Sequence, residues 1–485
     1  MRCLRRSVWV AALLALCLVV GAPTLAGSTT KSLSTNYTLV NLGDGPATGT
    51  IEYYKPDGSA WGTGSESFTI NEPGGQAIFR QYFASGTPGN PGLTNGTGSV
   101  VVYADQPIGA VVQVQARDQN PTSMGAYSGV SSGSAAFYVP LAARVLSTAS
   151  GVANSQIIAQ NTYTASVDVS FALISGSTGA QTYEHTATIA EGASHTYDLA
   201  DEISSNVPNN WYGSVVVSVV GSGEVAVVSN YFIGDMLQTF NGFATSSAGT
   251  KWHVPLFASR LANTLSTPLA VQNVSDQTIP VDGLVVTLYP DPALGGSPFQ
   301  LKNTTTIQPY GAYYFNPRVD MSIPAGFYGA AVVEASENVV AFVQMALASS
   351  GEAAAYEAIL DGTGGTKVTV PLVAKRLANG LATAVTIQNL TDQPATVNLR
   401  YIPGDAAYSE VVIQNVVIQP GRSLIQNHRV EVPQLPSGWY GSLVVTSDQD
   451  IHAFVQLSMM RSINPGVPSG DNFMAHTAFA QTLVD

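Results

Sequence analysis

The 485-residue chain contains only two cysteines, Cys3 and Cys17, and both lie in its first twenty residues. If that segment is removed, what remains can form no disulfide and no thiolate metal site, so its stability must come from packing. Charge is also scarce. Only 11% of the residues are Asp, Glu, Lys or Arg, and acidic residues outnumber basic ones by 32 to 19. A chain this acidic repels phosphate backbones, which argues against nucleic acid as a partner. Amphipathic helical patterning is missing beyond the N-terminal segment, as are a polybasic patch, a C-terminal apolar anchor and a sorting signal for covalent attachment to a cell wall. Disorder is excluded by an apolar fraction of 45%.

The N-terminus has the three-part layout of a secretory signal. Arg2, Arg5 and Arg6 precede an unbroken apolar run from Val8 to Val20, and small residues follow to Thr24-Leu25-Ala26. The run is too short for a membrane-spanning helix, which needs about 20 residues. Cleavage after Ala26 is expected, giving a mature chain with 16 basic and 32 acidic residues and placing it in the secreted or cell-surface compartment. Cys17 follows Leu16, where a lipobox wants a small residue, so lipidation is not expected.

The strongest internal signal is a repeat of about 116 residues, the spacing between Arg144, Arg260 and Arg376. Val139-Pro140-Leu141, Val254-Pro255-Leu256 and Val370-Pro371-Leu372 open three copies. Each continues to Gln-Asn at the end of an alternating apolar stretch: Gln160-Asn161, Gln272-Asn273 and Gln388-Asn389, with Val40-Asn41 in a diverged first copy. An isoleucine before a turn recurs at Ile70, Ile189, Ile307 and Ile418. An aromatic-Tyr-Gly step recurs at Trp211, Phe327 and Trp439, with Gly98-Ser99 at the same place in copy one.

Short segments rich in β-branched residues, bounded by Gly, Pro, Asn or Asp, read as strands. About seven strands per copy with frequent turns describe an antiparallel sandwich. The expected fold is therefore all-β: four tandem antiparallel β-sandwich domains over residues 27–134, 135–248, 249–365 and 366–485, after a signal peptide at 1–26. Four such units in line would make a rod of about 130 to 140 Å, bending at the Ser/Gly/Thr connections 131–135, 246–249 and 362–365.

The unit resembles immunoglobulin-like modules found in tandem on bacterial secreted and surface proteins. The likeness rests on the Val-Pro-Leu opening, the Gln-Asn strand end, a turn of the type Ile418-Gln419-Pro420-Gly421 and a closing Phe240-Asn241-Gly242-Phe243 stretch. It implies location and fold, and no activity.

Individual side chains offer little chemistry. None of the six histidines, His185, His195, His253, His428, His452 and His476, recurs at one repeat position, and surface or strand-edge roles are expected for them. His185 and His195 face each other across a hairpin beside Glu184, but zinc needs three or four converging ligands. Gly129-Val130-Ser131-Ser132-Gly133 matches the nucleophile-elbow letters yet sits in a Ser/Gly turn between copies. No catalytic, cofactor or metal site is expected and the chain is read as a non-enzyme, with calcium at turn aspartates such as Asp105, Asp276, Asp392 and Asp448 a minor alternative.

The recurring Asn41, Asn161, Asn273 and Asn389 are read as turn-closing residues, and Trp211, Phe327 and Trp439 as core plugs. Arg144, Arg260 and Arg376 are candidates for contacts between domains. Asn36, Asn95, Asn273, Asn303 and Asn389 begin glycan-attachment sequons.

The first copy lacks a Val-Pro-Leu. Counting back from Asn41 places its opening strand inside the signal peptide, so cleavage leaves a gap. Lys31 to Thr38 could re-form the strand locally, the Val-Pro-Leu motif could belong to the end of the preceding domain, or a strand from another molecule could fill the gap, assembling a fibre by β-strand addition. The functional expectation is a non-catalytic structural or assembly protein of the cell exterior: stalk, sheath or fibre. The alternative is an adhesin or carbohydrate-binding protein whose candidate contacts are the unrepeated Trp61 and Trp252.

Overall fold

A computed structural model describes residues 32–116, 119–176, 179–201 and 207–481, together with the backbone of residues 12–18. Arg2, Arg5 and Arg6 of the expected leader, Cys3 and the cleavage point expected after Ala26 lie outside the described residues. The chain is all-β: among the described residues the sole helical element is a single 3₁₀ turn, Thr245–Ser247. Among the described residues no helix is long and apolar enough to cross a membrane.

One strand plan recurs in every copy, and all named strand pairs are antiparallel. In the second copy, Gln181–Ile189, Val167–Ser175, Trp211–Val220 and Ala136–Arg144 pair in that order in one sheet. Ser194–Asp198, Gly151–Asn161, Val225–Ile233 and Met236–Asn241 pair in the other. Alternation of side chains across each strand turns one face of each sheet inward. Val169, Phe171, Val215 and Val217 of the first sheet share a buried cluster with Ile157, Ala159 and Val227 of the second. In copies three and four, one long strand serves both sheets: Phe327–Leu347 and Trp439–Met459.

The plan explains the recurring glycine of the aromatic-Tyr-Gly step. A Cβ on Gly213, Gly329 or Gly441 would lie 1.9, 2.0 or 2.0 Å from the carbonyl oxygen of Ile174, Tyr289 or Ile402, and on Gly98 it would lie 2.3 Å from that of Tyr54. The two strands approach too closely for any side chain. The aromatic residues just before these glycines, Trp211, Phe327 and Trp439, are buried in the cores, as are all four recurring isoleucines.

The copies do not lie in line. Each presents the last strand of its second sheet to a common centre: Met124–Ser128, Met236–Asn241, Glu352–Glu357 and Phe473–Thr477 pack side by side, and the fourth returns to the first. Buried clusters cross every seam. One joins copy one to Ile158, Val228 and Phe232 of copy two; another runs from copy two through copy three to Phe454 and Phe473; a third joins Val111, Met124 and Ala126 of copy one to copy four. The expected rod is therefore replaced by a closed ring. The physical reason is that every copy carries the same two complementary patches, and head-to-tail use of such patches closes when the rotation permits. The connections expected to bend are pinned, for example by reciprocal backbone bonds between Ser134 and Val225.

Candidate functional site: the seams of the ring

At each seam, one sheet of one copy meets the turn after the recurring isoleucine of the next. Ser214 Oγ donates to Tyr310 O at 3.0 Å, Ser99 Oγ donates to Gly192 O, and Ser442 Oγ of copy four donates to Gly74 O of copy one. Ala330 stands at that position in copy three, and there Gln388 Nε2 bridges instead, to Ala331 O at 3.3 Å and Gly421 O at 3.2 Å. Gln160 does the same toward Val100 O and Gly192 O. Where copy one has Val40 in place of this glutamine, the seam is closed elsewhere, by Gln481 Nε2 on Leu42 O at 3.0 Å.

Near the ring centre the polar contacts are buried. Asp471 is fully buried; its carboxylate accepts from Leu237 N at 2.7 Å, Ala353 N at 3.1 Å and Phe473 N at 3.3 Å, groups drawn from three copies. Thr122 of copy one bonds Ser469 O through its N–H at 2.7 Å and Asn472 Oδ1 through its hydroxyl at 3.0 Å. Glu357 accepts from Asn241 N at 2.6 Å and from Thr477 Oγ1 at 3.2 Å. Burial pushes both carboxyl groups, Asp471 and Glu357, above the usual carboxylate range, and the donated hydrogen bonds oppose that shift.

The recurring asparagines act within their own copies. Asn389 Nδ2 donates to Gln393 O at 2.6 Å and Ile418 O at 3.0 Å, while its Oδ1 accepts from Thr391 N at 2.9 Å. Asn41, Asn161 and Asn273 repeat the arrangement, and all four are fully buried. The amide thus ties a strand end to the isoleucine turn that forms the seam. Asn389→Ala should destabilise the protein by about 2 kcal/mol by orphaning these groups, read as a lowered urea midpoint with unchanged slope.

The three arginines bond within their own copies. Arg260 donates to the carbonyls of Pro317, Asp320 and Ile323, Arg144 to Asn209 Oδ1 at 2.7 Å, and Arg376 to Arg429 O at 3.3 Å. The guanidinium fork gathers loop carbonyls and does not reach across a seam. Of the five sequons, Asn95 is exposed, whereas Asn36, Asn273, Asn303 and Asn389 are buried. Asn273, Asn303 and Asn389 also have their amide nitrogens engaged in hydrogen bonds, which leaves no room for a glycan in the folded chain.

Trp61 and Trp252, read as candidate surface contacts, are 1% and 2% exposed. Trp61 Nε1 donates to Thr94 Oγ1, and Trp252 Nε1 to Gly249 O and Val339 O. They fill cores, as apolar rings with one satisfied donor usually do.

The histidines also depart from expectation. His253, His428 and His476 are buried. His185 and His195 do stack, with ring centroids 5.6 Å apart, but among Tyr197 and Phe171, and Glu184 turns away to accept from Ser170. Among the described residues no group of three or more His, Cys, Asp or Glu is placed to hold a metal ion. Ser131 lies in a bend followed by a strand, Ala136–Arg144, where a nucleophile elbow would need a helix. Of the turn aspartates, two hold backbone: Asp105 accepts from Thr48 N and Oγ1, each at 2.7 Å, and Asp448 from Thr396 N, whereas Asp276 and Asp392 accept from the side chains of Gln277 and Gln393. A buried hydroxyl chain in copy one runs from Tyr37 through Tyr53 to Glu66, which also accepts from Gly89 N. It links both sheets, and burial raises both tyrosines.

Burial lowers His428 and His476 to about 4, against about 6.5 for a free histidine. The folded state keeps them neutral, while the unfolded chain takes up protons as pH falls through 6.5. Each should therefore cost about 1.4 kcal/mol of stability per pH unit between 6.5 and 4, with no further loss below. Asp471 and Glu357, shifted upward, act in the opposite sense. Thermal midpoints against pH for the protein and for His428→Gln test this: the unsubstituted protein should show the steeper acid decline.

The geometry thus defines an all-β ring whose recurring polar residues close turns and join neighbours. No protein-family model matches the chain, and no curated protein matches it. Among solved structures, a crystal structure of Thermotoga maritima 1070 is similar at 17% identity over 24% of this chain and 96% of that one, with a TM-score of 0.19. Escherichia coli alpha-2-macroglobulin activated by porcine elastase is similar at 11% identity over 96% of this chain and 44% of that one, with a TM-score of 0.11.

Proposed function

We propose that the protein is a non-catalytic structural or assembly protein outside the cytoplasm, composed of four immunoglobulin-like β-sandwich modules closed into one block. The observation that carries this reading is the use made of the recurring polar residues. Ser99, Ser214, Ser442, Gln160 and Gln388 bond backbone carbonyls of the neighbouring copy, and the four asparagines brace the turns they meet. Recurrence in an enzyme or receptor array would be expected at groups facing a ligand; here it falls on groups that hold the assembly. The building block is a ring, which suits a sheath or a stacked fibre better than a stalk.

A ligand-binding reading draws on one cavity of about 410 Å³ at the seam of copies one and four. Arg80, Phe83 and Tyr440 line it, together with the buried Asn36, whose Oδ1 has no hydrogen-bond partner. Electron microscopy of the purified secreted protein, with glycan-array binding in parallel, separates the two. Four-lobed particles, single or stacked, with no glycan retained support the structural reading. Extended rods would overturn the ring, and glycan binding abolished by Phe83→Ala would favour the alternative.

A further inference from the structure

In copies two to four the opening strand, which carries Val-Pro-Leu, pairs with the strand of the recurring glycine. Ala142 lies opposite Gly213, Phe257 opposite Gly329 and Val373 opposite Gly441. In copy one the same place, against Gly98–Ala104, is held by Ala12–Leu18, with Leu18 opposite Gly98 and Ala12 opposite Ala104. Ala12–Leu18, within the apolar run read as a secretion leader, therefore completes the first sheet.

Processing after Ala26 would vacate this place, and chain length decides what can refill it. Ser34, Asn154, Ser266 and Ala382 each stand seven residues before the recurring asparagine. The residue opposite the recurring glycine precedes these by 12, 9 and 9 residues in copies two, three and four. The same spacing puts the residue opposite Gly98 at position 25 or earlier, and the antiparallel pairing carries the rest of the strand further back still. Everything from residue 27 onward is thus too close to reach the place. Local re-formation from Lys31 to Thr38 fails for a second reason: Ser34–Asn41 is already paired on both sides, with Gln76–Arg80 and Ile108–Gln115.

The vacated place is a groove between copies one and two, since the backbone of Ala12–Leu18 runs beside Ile108–Gln115, Gly151–Asn161 and Val225–Ile233. Val100, Val102 and Val112 of copy one and Ile158, Val228 and Phe232 of copy two are buried in the cluster around it. One side of Gly98–Ala104 stays paired with Ala47–Tyr54. The other would present free N–H and C=O groups, a template for another strand.

We propose that the processed protein takes up an extended strand of a partner polypeptide at Gly98–Ala104. The donor runs antiparallel and carries apolar β-branched residues at alternate positions. The opening strands of the other copies show what fits: Val139, Val254 and Val370 are fully buried at the equivalent place. Main-chain bonds supply affinity, and the apolar alternation supplies selectivity. The proposal rests on the extracytoplasmic reading, because export removes the resident strand.

The test uses the secreted protein and, as probe, a labelled peptide of residues 365–375, the opening strand of copy four. Intact mass first shows whether residues 1–26 are gone; their retention would overturn the processing step itself. On the processed protein, saturable one-to-one binding by anisotropy is expected, with amide exchange across residues 98–104 slowed at least tenfold. Chain 1–485 with its leader, and a peptide carrying Val370→Asp, should bind at least tenfold more weakly. Equal binding by processed and unprocessed chains would sink the proposal, as would full protection of residues 98–104 without peptide. Protection that rises with protein concentration alone would overturn the partner in favour of a second copy.

Discussion

Replacing Asp471 by alanine is expected to lower stability by about 3 to 9 kcal/mol, because three buried N–H groups lose their acceptor at about 1 to 3 kcal/mol each. The donors, Leu237, Ala353 and Phe473, belong to three copies, so the loss falls on the ring centre and not on one core. Exchange at the Leu237 and Ala353 amides should accelerate together in the variant. Asp471→Asn is a sharper probe. Its carbonyl can serve Ala353 and Phe473, which share one carboxylate oxygen, but its amide then turns a donor toward Leu237 N, which bonds the other. About half the loss should persist. A change below 1 kcal/mol for the alanine variant in chemical denaturation would show that the central carboxylate is not needed to join the copies.

Gly441→Ala should cost about 3 kcal/mol, the upper end of overpacking penalties. Its Cβ would meet the Ile402 carbonyl oxygen at 2.0 Å and the Trp439 ring at 2.8 Å. Neither can retreat: the carbonyl belongs to a paired strand, Ala395–Pro403, and the ring is fully buried. Gly45→Ala is the control. Its Cβ would meet nothing within 4 Å, and the change should stay within about 0.5 kcal/mol. The difference between the two variants isolates strand approach from the general effect of removing a glycine, and equal midpoints would refute the steric account.

Both predictions bear on what the sequence disclosed. Strands, turns and core plugs were legible because each leaves a local mark: alternation, Gly and Pro punctuation, and one large aromatic at a fixed repeat position. The asparagine role was legible for the same reason, since an Asn ending a strand has few other uses. Ring closure was not. Its acceptors are main-chain carbonyls, at Gly74, Gly192 and Tyr310, which carry no residue identity. Its donors are ordinary serines, though their position directly after the recurring glycine in three of four copies was a signal in plain view. Trp61, Trp252 and the buried histidines were misplaced because they do not recur, and a residue without counterparts looks like a surface elaboration. In fact the copies fill equivalent cores with different side chains: Phe171 and Tyr197 pack beside His185 where another copy places His428 against Tyr401.

Linear arrays of repeats melt from their termini, where the outermost unit has a neighbour on one side alone, and they need capping units to resist this. Here the contacts of copy four with copy one, through Ser442, Asp471, Asn472 and Gln481, leave no outermost unit. Fraying has nowhere to begin, and opening any one joint leaves the other three to hold its partners in place for reclosure. Unfolding should accordingly be a single steep transition across all four copies, and a protease should meet either an intact circle or a wholly open chain.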